Sequence, residues 1–191
     1  MADDADIVLT DTGSISRPTL VAFHDNSRLI GEEASHQITG ESTISLFNLL
    51  IGQSSTQSID VLNHFRIPIS ASSSGLSAEV TYGGKKVSFS ITALLAMYIL
   101  KLHQRAVTVY GNDIKLAFAI ATPSNHSLIR AYRQACQIAA IDLNRIVFVN
   151  TADCIISTYQ RKLLAQRDKT SLEVCFHLCH CNPPTTIFYC F

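Results

Sequence analysis

The strongest constraint on the fold is a tight hairpin signal followed by a long stretch with helical spacing. Residues 78–82 and 87–89 alternate between apolar and polar side chains, and Gly83-Gly84 between them can adopt the positive φ angles of a two-residue turn. Apolar residues then recur at helical spacing from Leu94 to Val109. The sequence predicts an antiparallel hairpin that leads into a long helix.

Strands and helices continue to alternate after this unit. Apolar runs predict strands at 116–121 and 146–149, and amphipathic spacing predicts helices at 127–140 and 151–166. Such alternation is typical of α/β proteins. The second half of the chain is therefore predicted to be α/β.

The strands and helices predicted in the first half of the chain are shorter. Strands are predicted at 7–9 and 19–23, and a helix is expected to begin at Glu32, where negative charge suits the positive end of the helix dipole. A second short helix is predicted at 44–51, with Thr43 as its N-cap and Gly52 as its stop.

Composition narrows the classes of partner. Fifteen Lys+Arg balance fifteen Asp+Glu, so no basic excess is available to grip nucleic acid. The apolar run at 93–100 is far shorter than the roughly 20 residues that span a bilayer, and the acidic start does not read as a secretory signal. We expect a soluble, cytoplasmic chain that binds neither nucleic acid nor membrane.

Five stretches share their pattern with one family: residues 14–23, ending in Val-Ala-Phe; residues 28–34, with Leu-Ile-Gly; residues 42–52, with a second Leu-Ile-Gly; the hairpin at 80–89; and residues 135–146, ending in Arg-Ile. Together they resemble the first lobe of the ATPase domain of the seventy-kilodalton heat-shock (DnaK-type) chaperone family. The similarity covers about residues 7 to 164.

The resemblance implies an α/β fold of the actin-like ATPase (ribonuclease H-like) type: an incomplete lobe with a mixed sheet flanked by helices. It divides the chain into two parts. Residues 1–168 form a partial nucleotide-binding domain (lobe I), and residues 169–191 form a divergent Cys- and His-rich tail that we expect to be disordered.

The resemblance also implies an ancestral role in protein folding with ATP or ADP and magnesium as cofactors. Phosphoryl transfer depends on positioned cations and on carboxylates that hold the metal. The family's lysine falls by register on Asn48, and its Glu-Pro pair falls on Val149 and Asn150. Neither phosphate loop of the family has a counterpart in the sequence. We therefore expect a catalytically inactive lobe, with no catalytic residue, no metal site and doubtful nucleotide binding.

Other functions remain open. The lobe could be a non-catalytic interaction module for co-chaperones or other chaperone domains, or a truncated product without function. Asp11-Thr12-Gly13 is also the signature of aspartic proteases, in which two carboxylates share a proton, so one copy would require a dimer. The tail residues Cys175, His177, Cys179, His180 and Cys181 offer zinc-binding donors, but their spacing matches no zinc finger.

Overall fold

The computed structural model describes residues 8–14, 16–36, 42–55, 65–72, 75–120, 126–153, 156 and 159, together with the backbone of 186–190. Within these residues the chain forms an α/β fold with nine strands, three α-helices, two short 3₁₀ turns and a further helical segment that is described only in part, at 151–153, 156 and 159. The strands are β1 (Leu20–His24), β2 (Ser27–Ile30), β3 (Thr43–Ser45), β4 (Ile69–Ser72), β5 (Gly75–Tyr82), β6 (Lys85–Ser90), β7 (Lys115–Ile120), β8 (Ile146–Asn150) and β9 (Thr186–Cys190). The helices are α1 (Glu32–Ser35), α2 (Ile91–Tyr110) and α3 (His126–Ile138), and the 3₁₀ turns are Phe47–Leu50 and Leu143–Arg145.

The described strands lie in three sheets of three strands each. The first has the order β2-β1-β3 and the second the order β4-β5-β6, and both are antiparallel. The third has the order β8-β7-β9 and is parallel. Helices α2 and α3 contact each other, and α2 also contacts the hairpin of the second sheet. The α/β class predicted from the sequence is confirmed.

The predicted hairpin and the helix after it are both present. Val80 pairs with Val87 across β5 and β6, and Gly83 and Gly84 take the positive φ angles (58° and 71°) that the turn requires. The side chain of Ser90 accepts a hydrogen bond from the Ala93 amide at 3.1 Å and so caps α2. The glycine pair therefore determines where the hairpin turns, and Ser90 determines where α2 begins.

The parallel sheet is buried around its central strand. Residues Leu116, Ala117, Phe118, Ala119 and Ile120 of β7 are all buried. Helix α3 packs on this sheet through Tyr132, whose ring lies 5.2 Å from that of Phe118. A strand with a parallel neighbour on each side and a helix on its face is expected to be apolar throughout.

The prediction of a helix at 44–51 is wrong. Residues Thr43–Ser45 form β3, in which Ile44 pairs with Val21 of β1 and is fully buried. Thr43 is therefore a strand residue and not an N-cap. Leu46 then adopts the left-handed conformation (φ 54°), which no helix can continue, and only the 3₁₀ turn follows. The β-branched Thr43 and Ile44 favour a strand wherever a neighbour is available.

Three smaller outcomes concern the ends of the chain. Val8 and Leu9 form no strand; instead Arg105 Nε donates a hydrogen bond to the carbonyl of Leu9 at 3.0 Å. Residues 151–153, 156 and 159 are helical, and the rest of the helix predicted at 151–166 lies outside the described residues. The backbone of residues 186–190 forms β9, which pairs in parallel with β7, and the other tail residues lie outside the described residues. No helix in the described part of the chain is long and apolar enough to cross a membrane.

Candidate functional site

The 3₁₀ turn after β3 contains the position to which the resemblance assigns the family's lysine. Phe47 and Leu50 are 0% and 1% exposed, and the Phe47 ring meets that of Tyr98 edge-on at 5.9 Å. Leu46 and Leu49, in contrast, are 50% and 45% exposed. Two residues thus anchor the turn in the core. Leu46, directly before the turn, and Leu49, within it, are both exposed, and we call these two residues the leucine patch.

Asn48 lies between the two leucines of this patch. Its Oδ1 atom is buried and accepts no hydrogen bond from any described residue. Either orientation of the amide leaves a neutral group there, and residues 43–52 contain no Asp, Glu, Lys or Arg. A triphosphate with magnesium requires positive charge from such a segment. These residues therefore do not fit a magnesium–nucleotide.

Val149 occupies the position to which the resemblance assigns the family's glutamate. It pairs with Ala119 across the parallel β7–β8 ladder and is half-buried. The next residue, Asn150, accepts a hydrogen bond from the Ala152 amide at 2.8 Å and caps the helical residues that follow. The isopropyl group of Val149 can neither ligate hydrated magnesium nor accept a proton, because both tasks need a polar atom.

Charged residues from the N-terminal loop, α1 and α2 meet around Asp11. Its carboxylate lies 3.3 Å from Arg17 Nη2, 3.5 Å from Arg105 Nη1 and 3.8 Å from Lys101 Nζ. Lys101 also pairs with Glu33 of α1 at 3.0 Å. These five residues, with Thr10 and Glu32, are called the Asp11 cluster below. It joins the N-terminal loop to α1 and α2.

Glu32 is the polar link between the N-terminal loop and α1. Its Oε1 atom accepts a hydrogen bond from Thr10 Oγ1 at 2.8 Å. Hydrogen bonds from the hydroxyls of Thr12 and Thr10, together with the positive charge of Arg17, lower the pKa of Glu32 below its usual value against the opposing effect of burial. Glu32 is therefore held ionised as an acceptor.

Arg17 is the most deeply buried charged member of the cluster, with only 6% of its side chain exposed. Its aliphatic stem fills the space beside Gly31, where a Cβ atom would overlap it, and Gly31 has a φ of 68°. The Nε atom of Arg17 has no hydrogen-bond partner among the described residues. Asp11 is thus the ion-pair partner of a buried cation.

This geometry is unsuited to an aspartic protease. Asp11 lies in a turn that Gly13 closes through its amide, which donates to the Thr10 carbonyl at 3.1 Å. Proton sharing requires a second carboxylate against the first, whereas three cations surround Asp11. Asp11-Thr12-Gly13 is a structural turn in this lobe.

The one cysteine with a described side chain is not a reactive thiol, and the described residues hold no metal cluster. Burial raises the pKa of the Cys136 thiol to about 12, so it stays protonated and unreactive. The Cys and His residues of the tail lie outside the described residues. Within the described ranges, no three His, Cys, Asp or Glu side chains are grouped to hold a metal ion.

Sequence reasoning missed the Asp11 cluster, apart from Asp11 itself. Arg105 is 94 residues away from Asp11 and Lys101 is 90 away, so no short spacing could have shown that they meet. A local hint was Arg17, a charged residue three positions before the apolar strand β1. Contacts between residues so far apart in the sequence can be recognised only once the fold shows where the helices lie.

The strands and helices form a mixed α/β lobe, consistent with part of an actin-like ATPase domain. The family model described as "Hsp70 protein" matches residues 1–160. The chain belongs to the Hsp70 family. The family predicted from the sequence is therefore confirmed.

Curated relatives agree with this assignment at low identity. The heat shock 70 kDa protein of Emericella nidulans is 27% identical over 172 residues, covering 87% of this chain and 27% of the relative. Heat shock cognate 70 kDa protein 3 of Dictyostelium discoideum is 25% identical, with 84% and 26% covered. A heat shock protein homolog of Lachancea kluyveri is 28% identical, with 78% and 22% covered. The chain spans about a quarter of the length of these relatives.

Proposed function

We propose that this Hsp70-type lobe is a non-catalytic interaction module, which meets co-chaperones or other chaperone domains and does not hydrolyse ATP. The observation that supports the proposal most directly is the turn at Asn48. A neutral amide stands where the family's lysine aligns, and exposed leucines lie on both sides of it. Such a surface favours contact with protein over contact with a polyanionic nucleotide.

Val149 supports the same conclusion independently. It lies on strand β8, whereas Asn48 lies in the 3₁₀ turn after β3, and it too replaces a charged family residue with a neutral one. Hydrolysis would need transition-state charge to be stabilised by groups that these two positions do not supply. ATP and ADP are therefore ancestral cofactors of the family in this proposal and not working cofactors of this lobe.

The packing of the lobe argues for a role that depends on its shape. Its core includes fully buried residues from β1, α2 and β7, among them Phe23, Leu94 and Phe118. A fold that retains its core but has neutral residues at two aligned catalytic positions suits binding. The alternative of a product without function predicts that this core does not fold cooperatively.

Thermal unfolding of the purified chain with and without excess Mg-ATP or Mg-ADP tests the proposal. We expect a cooperative transition that nucleotide leaves unmoved. Ligand at a hundred times its dissociation constant would add about 2.7 kcal/mol to the unfolding free energy, which is easily detected. A transition raised by nucleotide would overturn the proposal, and the absence of any transition would support the product without function.

The variant Asn48→Lys is the matched probe of the turn. It restores the cation that the family places there and leaves the buried anchors Phe47 and Leu50 untouched. If Asn48→Lys gains a nucleotide-dependent shift that the unmodified chain lacks, Asn48 itself accounts for the loss. If neither protein shifts, residues beyond Asn48, including Val149, are needed as well.

A further inference from the structure

Helix α3 presents a shallow, open groove on its exposed side that neither the fold nor the proposed loss of catalysis uses. The groove has a volume of about 500 Å³. It is lined by His126, Ile129, Arg130, Arg133, Gln134 and Gln137. All of these except Ile129 are exposed, and they recur at spacings of three and four residues along one side of the helix.

The charged side chains that line this groove, those of Arg130 and Arg133, are both positive. Helix α3 contains no Asp or Glu, although the chain as a whole has equal numbers of acidic and basic residues. Arg130 and Arg133 form no ion pair with any described residue, whereas Arg17, Arg105 and Arg145 each pair with an aspartate. The two arginines of α3 are therefore available to a partner.

Arg133 is also held in place from one side. Its guanidinium carbon lies 5.8 Å from the ring centroid of Phe148 in β8. The Phe148 ring stacks on that of buried Phe118 at 5.7 Å. Because the arginine rests on a ring that the core fixes, less side-chain freedom is lost when it binds a ligand.

We propose that this groove binds an acidic peptide segment of a partner protein. Arginine forms paired hydrogen bonds with carboxylates, and the amides of Gln134 and Gln137 can bond the peptide backbone beside them. The inference rests on the proposed interaction role and adds the chemistry of the partner to it.

The spacing of the arginines indicates which acidic segment fits. Residues three apart on a helix have side chains about 5–6 Å apart. Carboxylates two residues apart on an extended peptide are separated by roughly 6–7 Å and point to the same side. An extended segment of the type Glu-x-Glu therefore matches Arg130 and Arg133. Two arginines in a chain without net charge are too few to retain a nucleic acid at physiological salt.

Fluorescence anisotropy with a labelled probe peptide, Gly-Glu-Ser-Glu-Ser-Leu-Gly, tests the proposal on the full chain. We expect saturable binding that weakens as salt is raised. The double variant Arg130→Gln/Arg133→Gln should weaken binding at least about tenfold, since charged hydrogen bonds are the strong ones. The double variant Arg66→Gln/Lys85→Gln is the matched control, because it removes the same charge from exposed positions elsewhere and should change binding less than about twofold.

Several results would overturn the inference. These are no binding of the peptide, equal binding of a probe with glutamine for both glutamates, equal loss in both double variants, and displacement by an oligo-dT competitor at the same charge concentration. Failure here leaves the nucleotide test unaffected. If nucleotide does not shift the unfolding transition and the peptide does not bind, the proposed interaction role stands, but the partner surface is not the groove of α3.

Discussion

Asp11 and Asn48 both lie in the N-terminal third of the chain, but their surroundings differ in charge. Around Asp11, three cations surround one carboxylate and a nearly buried arginine packs against the backbone of Gly31. Around Asn48, ten successive residues have no charge, an amide oxygen has no partner among the described residues, and two leucines are exposed. Charge is present where it joins elements of the fold and missing where the family's chemistry would need it.

The largest expected effect comes from the anchor of the neutral turn. Phe47→Ala removes a fully buried ring that packs on Tyr98, and it should lower the free energy of unfolding by about 3–5 kcal/mol. Urea denaturation measures the change. Leu49→Ala is the control. Because Leu49 is exposed, we expect a loss of less than about 0.5 kcal/mol. A small effect of Phe47→Ala would mean that the turn is not anchored as described.

A smaller but sharper effect is expected in the charged region. Asp11→Asn leaves Arg17 buried without its ion-pair partner and should cost about 2 kcal/mol, less than for a fully buried pair because Asp11 is itself 46% exposed. The double variant Asp11→Asn/Arg17→Met removes both charges and keeps the side-chain volume. It should be more stable than Asp11→Asn alone, since the nearly buried cation left without its partner is no longer present. If the double variant is the less stable one, the cluster contributes more than the pairing of a buried charge.

The third prediction concerns the pH dependence of the same region. The pKa of Glu32 is lowered in the folded state from an ordinary value of 4.5. Its contribution to stability is therefore fully present above about pH 4.5, and it is lost as the pH falls through the lower folded value. The free energy of unfolding, measured between pH 6 and 2.5, should fall less steeply on the acidic side in Glu32→Gln than in the unmodified chain.

The control for this experiment is Glu79→Gln, which removes a carboxylate from the hairpin far along the chain from the Asp11 cluster. A flatter profile in both variants would show that general loss of negative charge is responsible. A flatter profile in Glu32→Gln alone assigns the effect to the hydrogen bonds from Thr12 and Thr10.

The sequence could predict those parts of the fold in which local and tertiary preferences agree. The glycine pair determines the β5–β6 turn, Ser90 caps α2, and the apolar run of β7 suits a central parallel strand. The segment 43–52 shows the opposite case. Thr43 as an N-cap and Gly52 as a stop suggested a helix, but β1 offers hydrogen-bond partners to Thr43–Ser45, and pairing with β1 was decisive.

The candidate site was predictable only in part. The neutral residues Asn48 and Val149 followed from register with the family, and the structure adds that Val149 lies within the parallel ladder. The charged residues around Asp11 and the arginines of α3 were not predicted. Their grouping depends on contacts across many residues and on which helix faces remain exposed, and neither is set by local spacing.

The smallest expected effect is at Leu46 and has the opposite sign. Leu46 has a φ of 54°, a conformation that costs a residue with a side chain but not glycine. Leu46→Gly should therefore raise the free energy of unfolding by up to about 1 kcal/mol, measured in urea, in spite of the greater freedom of glycine in the unfolded chain. Leu49→Gly should lower it, because Leu49 lies inside the 3₁₀ turn, where glycine brings only that entropic cost. If Leu46→Gly destabilises the lobe, the exposed side chain of Leu46 stabilises the fold, and the leucine patch could no longer be assigned to a partner.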